Sequence, residues 1–412
     1  MPSSNPSRRR FLRRTAVLST PAVAGVTGCL DRVTSPSTPP PARPGVAWRH
    51  TAARDRVTNV GAVARLDGGL AVAESVGSGE SPDDWTGVLT VADSVGVEVL
   101  HRTGGRRGYV ARDVVSTDGG LVYAGVRLDT EGRPSDAWMT AVDADGTERW
   151  RRRLDGTAVW LVSSERTGEV RVLTRRADGS TLQFGRVTVA SGHVDRRWTA
   201  EGPAVPTDAL ATADGLLVGG RTSAEDGVAV VDELTVGGVR SERQRYDEDL
   251  PLPRVVLADE ASGQTVALNG LSGTFTASFR LLGPGSDPGW RVSATGWHVA
   301  AILEPPDWPD LGRHRLVVAR RTGETPPDDT GAQVFAVDDA GRVRWRTTPL
   351  RSDGDRWRLR AAASTDAGAV VAGEVGPDRR RLDLGVARLE PRGADVSQTY
   401  RVTGAARAGR SQ

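Results

Sequence analysis

Two ten-residue stretches decide the fold: Ala141–Trp150, AVDADGTERW, and Ala336–Trp345, AVDDAGRVRW. Each begins with an apolar run and turns at an Asp-rich segment closed by glycine. Each then ends four residues after that glycine on a tryptophan. An Asp–x–x–Gly turn between two short alternating runs is a hairpin signal, because glycine adopts the left-handed backbone that tight turns need. A partial copy lies at Val189–Trp198, with Ser191 and Gly192 at its turn.

Working outward, similar segments begin near Asn59, Tyr109, Thr157, Val205, Leu252, Trp297 and Trp357, at spacings of 45 to 60 residues. Within each, a first Asp–Gly turn (Asp67–Gly68, Asp118–Gly119, Asp214–Gly215) separates a first strand from a second. The second strand runs apolar into small residues, as in Leu216, Leu217, Val218, Gly219, Gly220. The glycine turn quoted above separates the third strand from the fourth. The fourth carries an aromatic: Trp150, Trp198, Tyr246, Trp290, Trp345 or Tyr400. The apolar period is two rather than 3.6, which excludes helical solenoids. The pattern therefore predicts an all-β fold, a single β-propeller of seven four-stranded blades spanning residues 46–404, with 405–412 as a disordered tail. Val46–Arg49 reads as a further outer strand. Either it adds a fifth, outer strand, or one of the two assignments, Val46–Arg49 or Val396–Val402, is wrong.

The Ala-x-Asp-x-x-x-Gly-x-x-x-Trp pattern resembles the repeat of quinoprotein-like propellers (the PQQ-type repeat). The resemblance implies the fold and, in its enzymatic branches, a stacking Trp, acidic calcium ligands and in some cases a vicinal disulfide. No motif here matches those ligands, and after Cys29 the chain contains no cysteine. No cofactor is expected on that basis, with calcium or a quinone left open.

The N-terminal residues carry an address. Ser7, Arg8, Arg9, Arg10, Phe11, Leu12 resemble a twin-arginine export signal, with Arg8 and Arg9 as the recognition pair. After Arg13 and Arg14 an uncharged, modestly apolar run follows, Thr15 to Thr27, and Val26, Thr27, Gly28, Cys29 resemble a lipobox whose cysteine becomes lipidated. Residues 1–28 are read as the signal peptide with lipobox. Residues 29–45 are read as the lipidated Cys29 and a Ser/Thr/Pro-rich tether that cannot bury apolar surface. The expected location is the outer side of the cytoplasmic membrane, held there by lipid on Cys29. The formal charge is +2. Removal of residues 1–28, with five arginines and no acid, leaves 49 basic against 52 acidic residues, a charge of −3. No basic stripe interleaved with aromatics is present, so no nucleic-acid partner is expected. The chain is expected to be monomeric.

Candidate site residues fall on the loops between second and third strands, which share one face of a propeller. Asp83, Asp84, Asp136, Asp226, Asp328 and Asp329 would form an acidic rim suited to cations or cationic groups, against the alternative that Pro and Asp simply make solvated turns. Trp308, between prolines in a loop on the opposite face, would contact a partner or fold back over the blade edge. The five histidines form no metal-ligand spacing, and no nucleophile elbow, phosphate loop or dinucleotide fingerprint occurs. No catalytic residue and no metal site are expected. The leading reading is a lipid-anchored, non-catalytic binding or scaffold protein with a protein, glycan or small ligand. The alternative is a quinoprotein dehydrogenase-like or carbohydrate-active enzyme with carboxylates on the loop face. Two carboxylates converging in a central pocket would discriminate them.

Overall fold

The structure is a computed structural model. It describes residues 43–404 with interruptions, the longest at 304–313, 322–331, 348–355 and 393–400, so residues 1–42 and 405–412 lie outside it. Among the described residues twenty-nine strands, numbered β1–β29 along the chain, build antiparallel sheets in which consecutive strands are neighbours except at the two chain ends. The first sheet shows the plan: β2 (Val57–Leu66), β3 (Gly69–Gly77), β4 (Thr86–Asp93) and β5 (Val97–Arg102), running from the axis outward. The inner strands of the sheets that follow are β6 (Tyr109–Thr117), β10 (Ala158–Ser163), β14 (Val205–Ala211), β18 (Arg254–Ala258), β22 (Trp297–Leu303) and β26 (Arg356–Thr365). Each starts within two residues of a repeat start read from the sequence. Each packs on the next, and β26 packs on β2, so the sheets close into a ring. This is a β-propeller.

Burial explains the pattern that gave the repeat away. Every residue of β3 is buried, because a second strand is covered on both faces by neighbouring sheets. In the outer strand β9 (Glu148–Leu154) only Trp150 and Leu154 are buried, on one side of an otherwise polar strand. The core is not central but divided among the junctions between sheets. One cluster joins Val122, Ala124 and Trp150 of the second sheet to Val159, Val172 and Val187 of the third. Another joins Val60, Leu70 and Val72 of the first sheet to Val370, Ala372 and Val386 of the last, and it seals the ring.

Inner strands present an unpaired edge to the neighbouring sheet, and those backbone groups need partners. Side chains supply them. The Ser75 hydroxyl binds the backbone of Ala111, Thr207 binds Val255, and Asn269 spans Val299 with bonds of 2.7 and 3.0 Å. Asp113 Oδ2 accepts from Leu161 N–H at 2.7 Å, and Asp208 Oδ2 accepts from Leu257 N–H at 2.8 Å. The quoted turns behave alike. Gly146 (φ 88°) and Gly341 (φ 73°) close them, with N–H bonds to the carbonyls of Asp143 and Asp338.

Two expectations are corrected. Seven four-stranded blades do not form: among the described residues six sheets are four-stranded and one has five strands. The extra strand is β29 (Arg401–Gly404), which pairs with β21 (Trp290–Thr295). The reason is competition for an edge. β1 (Arg43–Ala52) occupies the outer position of the last sheet, pairing antiparallel with β28 (Asp383–Arg392). The fourth strand assigned to the last repeat at Val396–Val402 is therefore displaced, and β29 adds to the open edge of another sheet.

Candidate functional site at the channel mouth

The inner strands surround the axis, and their starts face the same side as the connections between second and third strands. Five of them carry an extra residue near that end, a bulge that leaves one residue outside the ladder. These residues are Gly61, Arg112, Thr207, Ala300 and Arg360. All five keep some solvent exposure, although the strands around them are largely buried. Arg254 begins β18 opposite Asn269, and Arg358 lies opposite Glu374 on β26. On second strands at the same level, Arg221 faces Val205 and Arg320 faces His298. Six arginines from five sheets thus gather at one end of the channel.

Their acids are few. Glu374, almost fully buried, holds Arg360 in a two-pronged pair of 2.8 and 3.0 Å. Arg112, Arg221, Arg254 and Arg320 form no ion pair among the described residues. Burial lowers the pKa of Arg112, and Arg254 and Arg360 lower it further. Burial also lowers Arg254, with Arg221 and Arg360 adding to the effect. Arg320 is brought to about 10 by burial and then by Arg360. His298, 8% exposed, is pushed down to about 3, first by burial and then by Arg320 and Arg254. Its Nδ1 is buried without a hydrogen-bond partner among the described residues. One step further down the channel, Asp113 is raised to about 7 and Asp208 to about 6, chiefly by burial and against the backbone N–H bonds they accept. Those two carboxylates are stitches between sheets.

The carboxylates singled out in the sequence are placed differently. Asp83 and Asp84 end a single 3-10 turn, Pro82–Asp84, and Asp84 accepts a hydrogen bond from the Ser78 hydroxyl at 2.5 Å. Asp136 pairs with the exposed Arg153 at 2.6 Å. No contact between Asp136 and Asp83 or Asp84 occurs among the described atoms, although Pro82 packs near Gly132 and so brings the two loops together. Asp226, Asp328, Asp329 and Trp308 lie outside the described residues, as do Arg8, Arg9 and Cys29. The arginines at the mouth escaped the sequence reading. Their signal was there: Gly219-Gly220-Arg221 and Ala319-Arg320 end second strands, and Arg358 and Arg360 flank a leucine on a first strand.

A second polar chain has the composition of a catalytic triad. Tyr123 OH lies 2.6 Å from His101 Nδ1, and His101 Nε2 lies 3.3 Å from Glu148. Tyr123 is fully buried, however, and the chain links the first sheet to the second, which makes it a fastening. Among the described residues no group of His, Cys, Asp and Glu could hold a metal ion, and no helix is long and apolar enough to cross a membrane.

No family model matches the chain, and no curated protein matches it. Solved structures do show similarity. One is a protein of unknown function from Dyadobacter fermentans DSM 18053, at 10% identity and TM-score 0.47, covering 86% of this chain and 100% of that one. A second is the β-propeller domain of the Trilobed protease from Pyrococcus furiosus, at 10% identity and TM-score 0.45, covering 82% and 98%. A third is the periplasmic gluconolactonase of Pseudomonas aeruginosa, at 15% identity and TM-score 0.47, covering 70% and 84%. At such values they carry no argument about this chain, whose fold rests on its own sheet topology.

Proposed function

We propose that this chain is an exported, membrane-tethered β-propeller that captures a ligand at the channel mouth and releases it unchanged. The address rests on Arg8, Arg9 and Cys29 and on the tether that follows them. The binding role rests on one observation above all: Arg112 and Arg254 at the mouth are reached by solvent yet form no ion pair among the described residues. A fold that needed only a sealed axis would fill it with apolar or paired groups, since enclosed charges are costly without partners. Concave sites with convergent polar groups are where ligands bind.

The test is equilibrium dialysis of the purified full-length chain in detergent against a set of small molecules of neutral, cationic and anionic classes, followed by mass spectrometry. Saturable uptake with the compound recovered unchanged supports the reading. Conversion of a bound compound would establish an enzyme instead, and uptake of no compound of any class would end the binding proposal.

A further inference from the structure

We infer that the channel mouth takes a small, multiply charged anion bearing phosphate or carboxylate groups, held directly by Arg112 and Arg254. The inference rests on the channel mouth being a binding site. It concerns what that site recognises.

Composition does not carry it. The chain uses no lysine, so the choice of arginine over lysine carries no information. Convergence does. Equivalent levels of the first sheet hold Asn59, Gly61 and Ser75, none of which carries a charge. The sheets facing them supply Arg112, Arg254 and Arg360 on inner strands and Arg221 and Arg320 on second strands. Among the described residues, the carboxylates near these arginines already have partners. Glu374 is taken by Arg360, while Asp113 and Asp208 accept backbone N–H groups of neighbouring sheets. Among the described residues Arg112 and Arg254 have no ion-pair partner, and both keep solvent exposure.

A concave site lined by one sign of charge focuses its field and concentrates counter-ions. Guanidinium groups offer paired N–H donors that fit carboxylate and phosphate oxygens two at a time. Arg360, fixed by Glu374, sets one wall. The neutral His298 adds a ring nitrogen without a partner and no charge of its own. Burial is the first cause of the lowered pKa values of Arg112, Arg254 and Arg320, and neighbouring arginines add to it, a repulsion that a bound anion relieves.

The experiment is isothermal titration calorimetry of the full-length chain in detergent and low-salt buffer. The probes are citrate for the carboxylate arm, inorganic phosphate for the phosphate arm, and glycine betaine and spermidine as neutral and cationic comparators. The variants are Arg112→Gln/Arg254→Gln at the mouth and Arg133→Gln on an exposed loop, where Arg133 pairs with Glu131. Citrate or phosphate should bind at one site per chain and weaken as sodium chloride is added. The mouth double variant should bind at least ten-fold more weakly, while Arg133→Gln binds as the parent does. The stronger of the two anions identifies the ligand group. Loss of binding in the double variant counts only if its thermal midpoint is no lower than the parent's, as expected where unpaired like charges are removed. Anion binding unchanged in the double variant would overturn the inference, because the ion would then sit elsewhere. Binding of betaine or spermidine without either anion would overturn it too, yet leave the binding role standing. Binding of none of the four overturns it, and the wider dialysis set then decides the binding role.

Discussion

Trp150 tests the register on which the ring was read. It is 7% exposed and belongs to the cluster that joins the second sheet to the third. Its Nε1–H donates to the carbonyl of Val189 at 2.7 Å, in the turn before Gly192. Gly192 itself lies on the indole: a Cβ there would come within 2.5 Å of the ring, and its φ is +70°. Truncating a buried Trp to Ala typically costs about 3–5 kcal/mol through lost transfer energy and the cavity left behind. The lost hydrogen bond belongs at the low end of its range, about 0.5 kcal/mol, because Val189 is half-buried and water can reach the turn. Trp150→Ala should therefore destabilise by about 4 kcal/mol, and Trp150→Phe by about 1–2 kcal/mol. The assay is urea denaturation followed by far-UV circular dichroism, which avoids a signal that depends on the deleted indole.

A second substitution sharpens the test. Gly192→Ala should cost more than about 1 kcal/mol in the parent, from the left-handed backbone and from the clash with the ring. In the Trp150→Ala background the clash is gone and only the backbone part remains, so the two changes should be non-additive. A Trp150→Ala loss below about 1 kcal/mol, or strict additivity with Gly192→Ala, would refute the placement of this ring between sheets.

Three further outcomes are expected. Replacing Arg8 and Arg9 with Lys should hold folded precursor in the cytoplasm, measured by fractionation and protease protection; normal export would remove the twin-arginine assignment. Cys29→Ser should leave the protein without lipid, released or uncleaved, and a variant as firmly membrane-bound as the parent would exclude Cys29 as the anchor. His298 stays neutral in the folded state down to about pH 3, whereas in the unfolded chain it takes up a proton near about 6.5. Stability from this site is therefore lost as pH falls from about 6.5 toward 3, by up to about 1.4 kcal/mol per unit. His298→Gln should gain on the parent in urea midpoint between pH 7 and pH 4, and identical acid sensitivity of the two would contradict the shift.

The ring was legible because its punctuation is local. In both quoted stretches the glycine N–H bonds the carbonyl of the first Asp, Asp143 or Asp338, and Trp150 is buried on one side of an otherwise polar strand. The strand count at the closure was not legible. Val46–Arg49 and Val396–Val402 both read as outer strands, and which one pairs with β28 depends on an edge contest between the two ends of the chain. The site was misjudged for a related reason. Asp84 and Asp136 stood out as loop acids beside prolines, yet one binds its own turn and the other an exposed arginine. Arg112 and Arg254 sit inside strands and gain meaning only when bulges and ring closure bring separate sheets to one axis. Sequence shows a residue's neighbours along the chain, and this site is made of neighbours across it.

Closure also bears on how the chain could reach its proposed address. β1 is the first strand of the ring and pairs with β28, so that Ala52 faces Leu384 from the far end of the domain. The last sheet lacks its outer strand until both ends are present, and the junction between Val60 and Val386 cannot form before then. Contacts so distant in sequence form slowly, and until they form the edge of β28 and the apolar faces of the terminal sheets stay open. A chain threaded unfolded across a membrane would meet that problem outside the cytoplasm. A chain exported already folded would not, and the twin arginines at Arg8 and Arg9 resemble the signal for that route. The same closure assembles the arginines of the mouth, since Arg358 and Arg360 on β26 join the others only when the last sheet docks on the first. Any binding at the mouth should therefore appear together with ring closure during refolding. Full anion binding by a partly folded ring lacking β26 would separate the two and place the ligand elsewhere.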